Sequence, residues 1–179
     1  MPKIVSNTSC LIVLDNINAL YILQKLYQNI YLTEEVAQEF GKPLESWMHV
    51  LTVIDKNYLR ILNASVDLGE ASTIALALQM QEDNVMILDD LKARKLAKQL
   101  QLKFTGLLGI LLKAKQQQII SSVADIFTQL KKANFRFSEK LEKEVLRLAE
   151  SFNSYKIHRK VSYVPLNASS RVAKLLKAA

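Results

Sequence analysis

The sequence predicts an α/β protein with a mainly parallel sheet covered on both faces. Short β-type runs at Ile4–Ser6, Ile30–Leu32, Val50–Ile54, Val85–Leu88 and Lys103–Thr105 alternate with helical stretches of roughly ten residues, the pattern of repeated βαβ crossovers. The run Val85-Met86-Ile87-Leu88 is apolar throughout, as a strand buried on both faces must be. With four glycines and no GxGxxG or P-loop motif, the nucleotide-cofactor versions of such a fold lose their support.

The elements follow in order. Ile4-Val5-Ser6 ends at Asn7-Thr8-Ser9, residues that cap helices, ahead of a helix over apolar Cys10 to Leu14. A second helical stretch covers Ala19 to Leu26. After the strand at Ile30 to Leu32, Thr33 caps a helix to Phe40, stopped by Gly41 and Pro43. Beyond the strand-like Val50 to Ile54, a helix at Tyr58 to Leu62 leads to one opened by Asp67-Leu68-Gly69-Glu70 and running to about Met80. Asp89-Asp90 closes the strand at Val85 to Leu88, and Lys92 to Leu100 returns as a helix. Lys103-Phe104-Thr105 is the last strand, followed by Gly106 and a helix from Leu107 to about Gln116. From Ser122 the pattern is helical only, over Val123 to Lys132 and then from Ser138-Glu139 to about Phe152.

A chain of 179 residues is one ordinary domain in length. Half of it is hydrophobic and 23% charged, close to the globular average, which excludes disordered and collagen-like classes for most of its length. One cysteine, Cys10, and two histidines, His49 and His158, cannot assemble a zinc site or an intrachain disulfide. No apolar run approaches the roughly 18 residues of a membrane span, and the N-terminus has no signal core. A cytoplasmic protein without membrane attachment is expected. The first 150 residues hold all 17 acids and 18 of the 24 basic residues, a balance of +1, and the last 29 carry +6. Residues 1–150 are therefore expected to form one domain and residues 151–179 a basic tail, which either attracts phosphate or is a solvated end. Within that tail, Ser169 to Lys177 has the spacing of a short amphipathic helix.

In an open parallel sheet ligands bind at the carboxyl ends of the strands. Asn7, Thr8 and Ser9 follow the first strand there, and Asp89 and Asp90 follow the strand at Val85 to Leu88. Two further acids, Glu39 and Glu70, lie on helices that flank the same edge. Oxygen donors without histidine or cysteine suit a hard cation, Mg²⁺ or Mn²⁺, and the chemistry such a cation serves is hydrolysis of a phosphodiester. Each residue also has a plain structural reading. Asp67 and Glu70 are spaced as a capping box, Asp90 is a helix cap, and Glu39 is a solvated helix residue. Cys10, Tyr31 and Phe40 read as core, and the two histidines as surface residues. Lys92 and Arg94 are placed to meet a substrate phosphate, and Arg94 is equally spaced to pair with Asp90 and only orient it.

Taken in order, Ile4 to Ser9, Thr33 to Phe40, Leu68-Gly69-Glu70-Ala71 with Ile74 to Ala77, and Ile87 to Asp90 with Ala93, Arg94 and Ala97 resemble the PIN-domain family. The likeness covers about residues 3 to 150. It is closer to a toxin-like branch of bacterial and archaeal PIN proteins resembling the VapC toxins, through Thr105-Gly106-Leu107-Leu108-Gly109-Ile110-Leu111. That resemblance implies a three-layer α/β/α nuclease whose acids gather around Mg²⁺ or Mn²⁺ and cut single-stranded RNA. It further implies the toxin half of a toxin-antitoxin pair, homodimeric and silenced by a small cognate antitoxin protein. By position Glu39, Glu70 and Asp90 match the family's second, third and fourth acids, with Asp89 an adjacent candidate ligand. Thr8 and Ser9 match hydroxyl positions that steady the first acid or touch a phosphate, and Lys92 and Arg94 are the candidate phosphate contacts. The first acid, usually Asp, is Asn7 here. An amide oxygen still ligates a metal but brings no charge, so lower metal affinity is expected. This departure carries the alternative of a catalytically weak PIN domain that binds nucleic acid or a partner protein.

Overall fold

A computed structural model describes residues 2–158 apart from 81, 82 and 136, with side chains through residue 151. The chain divides into two compact units at Leu107/Leu108. The basic tail beyond 158, including the helix expected at Ser169 to Lys177, lies outside the described residues.

The first unit holds an all-parallel sheet in the order β3-β2-β1-β4-β5. Its strands are β1 (Lys3–Ser6), β2 (Ile30–Thr33), β3 (Met48–Leu51), β4 (Asn84–Ile87) and β5 (Phe104–Thr105). Between them run α1 (Thr8–Asp15), α2 (Tyr21–Tyr27), α3 (Glu34–Phe40), α4 (Lys56–Asn63), α5 (Leu68–Gln79) and α6 (Leu91–Gln99). The chain steps outward from β1 through β2 to β3, then returns to β4 and steps outward to β5. Right-handed crossovers in these opposite directions put α1–α3 on one face of the sheet and α4–α6 on the other, which is the three-layer α/β/α arrangement.

The alternation of strand and helix is read correctly from sequence, and the boundaries differ where packing decides them. β3 begins at Met48 and ends at Leu51, earlier than the Val50–Ile54 run. Its register is set by β2, with Ile30 opposite Met48 and Thr33 opposite Leu51. As an edge strand it leaves Val50 41% exposed, and Ile54, beyond its end, is 78% exposed, so hydrophobicity alone misplaced it. Caps work where expected at both ends of α3. Thr33 Oγ1 accepts the Val36 N–H, and Gly41 ends α3 in the left-handed region at φ 65°, where a side chain would be strained.

On the α4–α6 face, Val5, Met86 and Leu88 pack with Leu59, Leu62, Ile74, Leu76, Ala93 and Ala97. Each large aliphatic side chain so buried contributes about 1.5–3 kcal/mol relative to exposure. Cys10 is fully buried, as the core reading holds, and burial pushes its thiol pKa up. His49 is exposed and bonds Asn29 Oδ1 through Nε2 at 2.8 Å.

The second unit is helical. It holds most of α7 (Leu107–Gln116), then α8 (Val123–Lys132) and α9 (Glu139–His158). Ser122 caps α8 by accepting the Asp125 N–H. Phe127 meets Phe137 edge-on with centroids 4.8 Å apart, and Lys131 pairs with Glu142 between α8 and α9. α9 continues past the expected end near Phe152, because no glycine or proline interrupts the chain there. Among the described residues no helix is long and apolar enough to cross a membrane.

Candidate active site

All five strands point the same way, so their carboxyl ends share one edge, and between β1 and β4 the chain's direction of travel reverses. Such a switch point leaves a crevice between the diverging loops. The β1–α1 and β4–α6 turns meet here, joined by the Asn7 N–H donating to Ile87 O at 3.2 Å.

Asn7 stands at the position that caps α1, yet its side chain makes no capping bond. It is 1% exposed. Its Nδ2 donates a long 3.5 Å hydrogen bond to Glu70 Oε1, and its Oδ1 is buried with no hydrogen-bond partner. A buried carbonyl oxygen left unpaired costs about 1–3 kcal/mol, so this acceptor, like the buried and unpartnered Arg94 Nη1, calls for an explanation.

Glu70 lies in the first turn of α5. The capping box read from Asp67 and Glu70 does not form, since Asp67 makes no side-chain capping bond. Instead Glu70 is held partly out of water, and its pKa is raised chiefly by that burial, its own backbone N–H opposing. The carboxylates of Asp67, Asp90 and Glu39 push it up further. Four acids from α3, α5 and the β4–α6 turn therefore stand within electrostatic reach of one another. Asp67 was legible only as a cap; what brings it to the site is the arrival of α5 beside β1 and β4.

Glu39, near the end of α3, reaches across to α1, where Thr8 Oγ1 donates to its Oε2 at 2.6 Å. The same oxygen lies where a Cβ on Gly69 would come within 2.7 Å. Gly69 thus has a steric role that its place in a helix, where glycine is unfavourable, was the only signal to suggest. Thr8 therefore steadies the second acid, whereas its position had pointed to the first.

Asp90 caps α6 by accepting the Ala93 N–H at 2.8 Å, and its carboxylate is exposed beside the others. Asp89, one residue earlier, does not join them. Its carboxylate accepts the Leu107 N–H with both oxygens at 3.1 Å and pairs with Arg94 Nη2 at 3.2 Å. Burial raises its pKa, with Arg94 and the Leu107 N–H working in the opposite sense. Arg94 pairs with Asp89 in place of Asp90, and its Nε donates to Leu88 O at 2.7 Å. Ser9 and Lys92 are exposed, in the first turns of α1 and α6.

The donors gathered here are oxygens only, one a neutral carbonyl without a hydrogen-bond partner and the rest carboxylates, of which Glu70 is held from ionising by burial and by the other three. That set fits a hard divalent cation, which takes one or two carboxylates and keeps several waters. Among the described residues, no three His, Cys, Asp or Glu side chains stand close enough to hold a metal by themselves. A cation held here would rely on the Asn7 amide and on water. Compared with known proteins, residues 3–151 match the PIN domain as a family, across both compact units. No curated protein matches the chain.

Proposed function

The chain belongs to the PIN-domain family, whose members are generally nucleases, and on that premise we propose that it is a metal-dependent endoribonuclease hydrolysing phosphodiester bonds in single-stranded RNA. The observation that carries the proposal is the buried, unpartnered Asn7 Oδ1 beside Glu70, whose ionisation is opposed first by burial and then by Asp67, Asp90 and Glu39. Polar groups arranged at the expense of folding point to a ligand that relieves them.

Mg²⁺ or Mn²⁺ held by the Asn7 amide and, directly or through water, by Glu39, Glu70 and Asp90 would supply activation of a water and neutralisation of the charge that develops on the phosphate. The chain's own residues hold the donors in place. Thr8 fixes the Glu39 carboxylate, the α6 cap fixes Asp90, and the Asn7 amide donates to Glu70. Lys92, exposed one residue after Leu91 on α6, is placed to meet the RNA backbone. In this reading the chain acts in the cytoplasm as the toxin of a toxin-antitoxin pair. A second copy of itself and a small cognate antitoxin protein are its partners. The support for that role is the likeness of Thr105 to Leu111 to the toxin-like branch.

A second reading rests on Asn7 itself. Without the charge of an aspartate there, metal is held less tightly, and the domain would retain RNA without cutting it. One experiment separates the two: a labelled RNA pool treated with purified protein in Mg²⁺, Mn²⁺ or EDTA, beside Asp90→Asn purified identically. Metal-dependent cutting lost in the variant supports the nuclease. Equal cutting by the variant overturns the site. No cutting with either metal, together with salt-sensitive RNA retention, favours the binding module.

A further inference from the structure

Arg94 has the surroundings of a structural part, although it sits beside the candidate metal ligands. Its side chain is 11% exposed. Nε donates to Leu88 O, Nη2 pairs with Asp89 Oδ1, Nη1 is buried without a partner, and the guanidinium lies over the Phe104 ring at 6.0 Å. Asp89 in turn accepts the N–H of Leu107, the first residue of α7. These bonds close a loop around the turn that carries Asp90: the carbonyl before it and the side chain adjoining it both meet the guanidinium, and the backbone after β5 meets that same Asp89 side chain. Gly106 makes room for that group, since a Cβ there would lie 1.9 Å from Arg94 Nη2 and 2.4 Å from Asp89 Oδ1.

We propose that the Asp89–Arg94 pair, seated on Gly106, is a clamp that positions Asp90, with Asp89 acting as a tether and Arg94 as a positioning residue that does not touch RNA. The inference rests on the nuclease reading for what Asp90 does, and on the geometry above for how Asp90 is held. Guanidinium is the group the clamp requires. Its fork bonds the Leu88 carbonyl and the Asp89 carboxylate at once, and a lysine ammonium, a single point donor on a flexible stem, does not reproduce that fixed two-sided bond.

The test uses the full chain with two variants that leave every candidate metal ligand in place, Arg94→Lys and Gly106→Ala. The second evicts the guanidinium by sterics and removes no charge. Three quantities are measured on each folded variant: kcat and KM on single-stranded RNA with Mn²⁺, Mn²⁺ affinity, and amide hydrogen exchange over residues 89–93 and at Leu107. The expected result is exchange faster by about tenfold or more at those amides, kcat and Mn²⁺ affinity lower by roughly 10–100-fold as for other groups that orient a ligand, and KM unchanged. A raised KM with unchanged kcat and unchanged exchange would make Arg94 an RNA-phosphate contact and overturn the clamp. So would both variants behaving like the parent. If the parent protein cuts no RNA with either metal, the nuclease reading fails by itself. The clamp then stands or falls on exchange and Mn²⁺ affinity, and variants unchanged in either one overturn it.

Discussion

The two turns that meet at the carboxyl edge of the sheet satisfy their polar groups to different degrees. In the β4–α6 turn, Asp89 is matched by Arg94 and by the Leu107 N–H, and Asp90 caps a helix. In the β1–α1 turn, Asn7 stands at a capping position without capping, and its Oδ1 is buried with no partner. The first turn is tied down by its own residues, with one polar atom left over, the buried and unpartnered Arg94 Nη1. The second is left incomplete beside Glu70, whose ionisation is opposed by burial and by three further carboxylates. Local rules of capping and pairing are obeyed more fully in the first turn than in the second, and departures of this kind are expected where a site is built.

The largest expected effect tests whether the exposed member of the Asp89-Asp90 pair belongs to the incomplete side. Asp90→Asn removes a charge and keeps volume and cap, since Asn caps as well as Asp. Metal-dependent RNA cleavage should fall by roughly a hundredfold or more, with the melting temperature nearly unchanged. A variant that melts early and still cuts would return Asp90 to a purely structural role.

Completing the other turn is the converse. Asn7→Asp should raise divalent affinity, by roughly tenfold for one added charge in a site of this kind, and should lower the melting temperature in EDTA because a carboxylate then sits buried beside Glu70. Calorimetric titration with Mn²⁺ reads the first effect. An affinity equal to the parent's would mean that Asn7 does not face the metal.

A smaller effect is expected at Gly69. In Gly69→Ala the new methyl displaces the Glu39 carboxylate from Thr8, so Mn²⁺ affinity should drop severalfold. Stability should hold or rise by up to about 1 kcal/mol from the better helix former. Loss of both together would show that the glycine serves the backbone and not Glu39.

Smallest is the effect of charge at Glu70. Its pKa is raised in the folded protein, so the protein gains from its protonated form at low pH and loses that stability as pH rises through the raised value. Glu70→Gln should therefore melt higher than the parent at neutral pH in EDTA. The gain should disappear as pH falls below the range in which a free glutamate titrates. A gain that persists in acid would assign the effect to packing.

Much of this was written in residue order. The alternation of β runs and helices, the apolar β4 strand, the Thr33 cap and the Gly41 stop are local features, and each depends on neighbours within a turn or two. The grouping of Asn7, Glu39, Glu70 and Asp90 at one edge also followed, because parallel strands bring their ends together whatever the loops contain. Less was legible in β3, whose place depends on pairing with β2, and in the capping box at Asp67 and Glu70, whose spacing is correct and whose bond is absent.

Sequence by itself determined the order of elements and the chemistry of the edge, oxygens without histidine or cysteine, because periodicity and residue type are properties of the chain. Only the tertiary structure decided which of two adjacent aspartates faces the crevice. Asp89 and Asp90 are the same residue type one position apart, and what distinguishes them is long-range: Leu107 arrives 18 residues later with a free N–H, and Gly106 leaves the space in which Arg94 reaches back to Asp89. The same holds for Thr8 and Glu39, 31 residues apart and bonded across Gly69. Hydrogen bonds of this kind form only when separate elements have already been brought together by the burial of their apolar faces, so no local pattern records them.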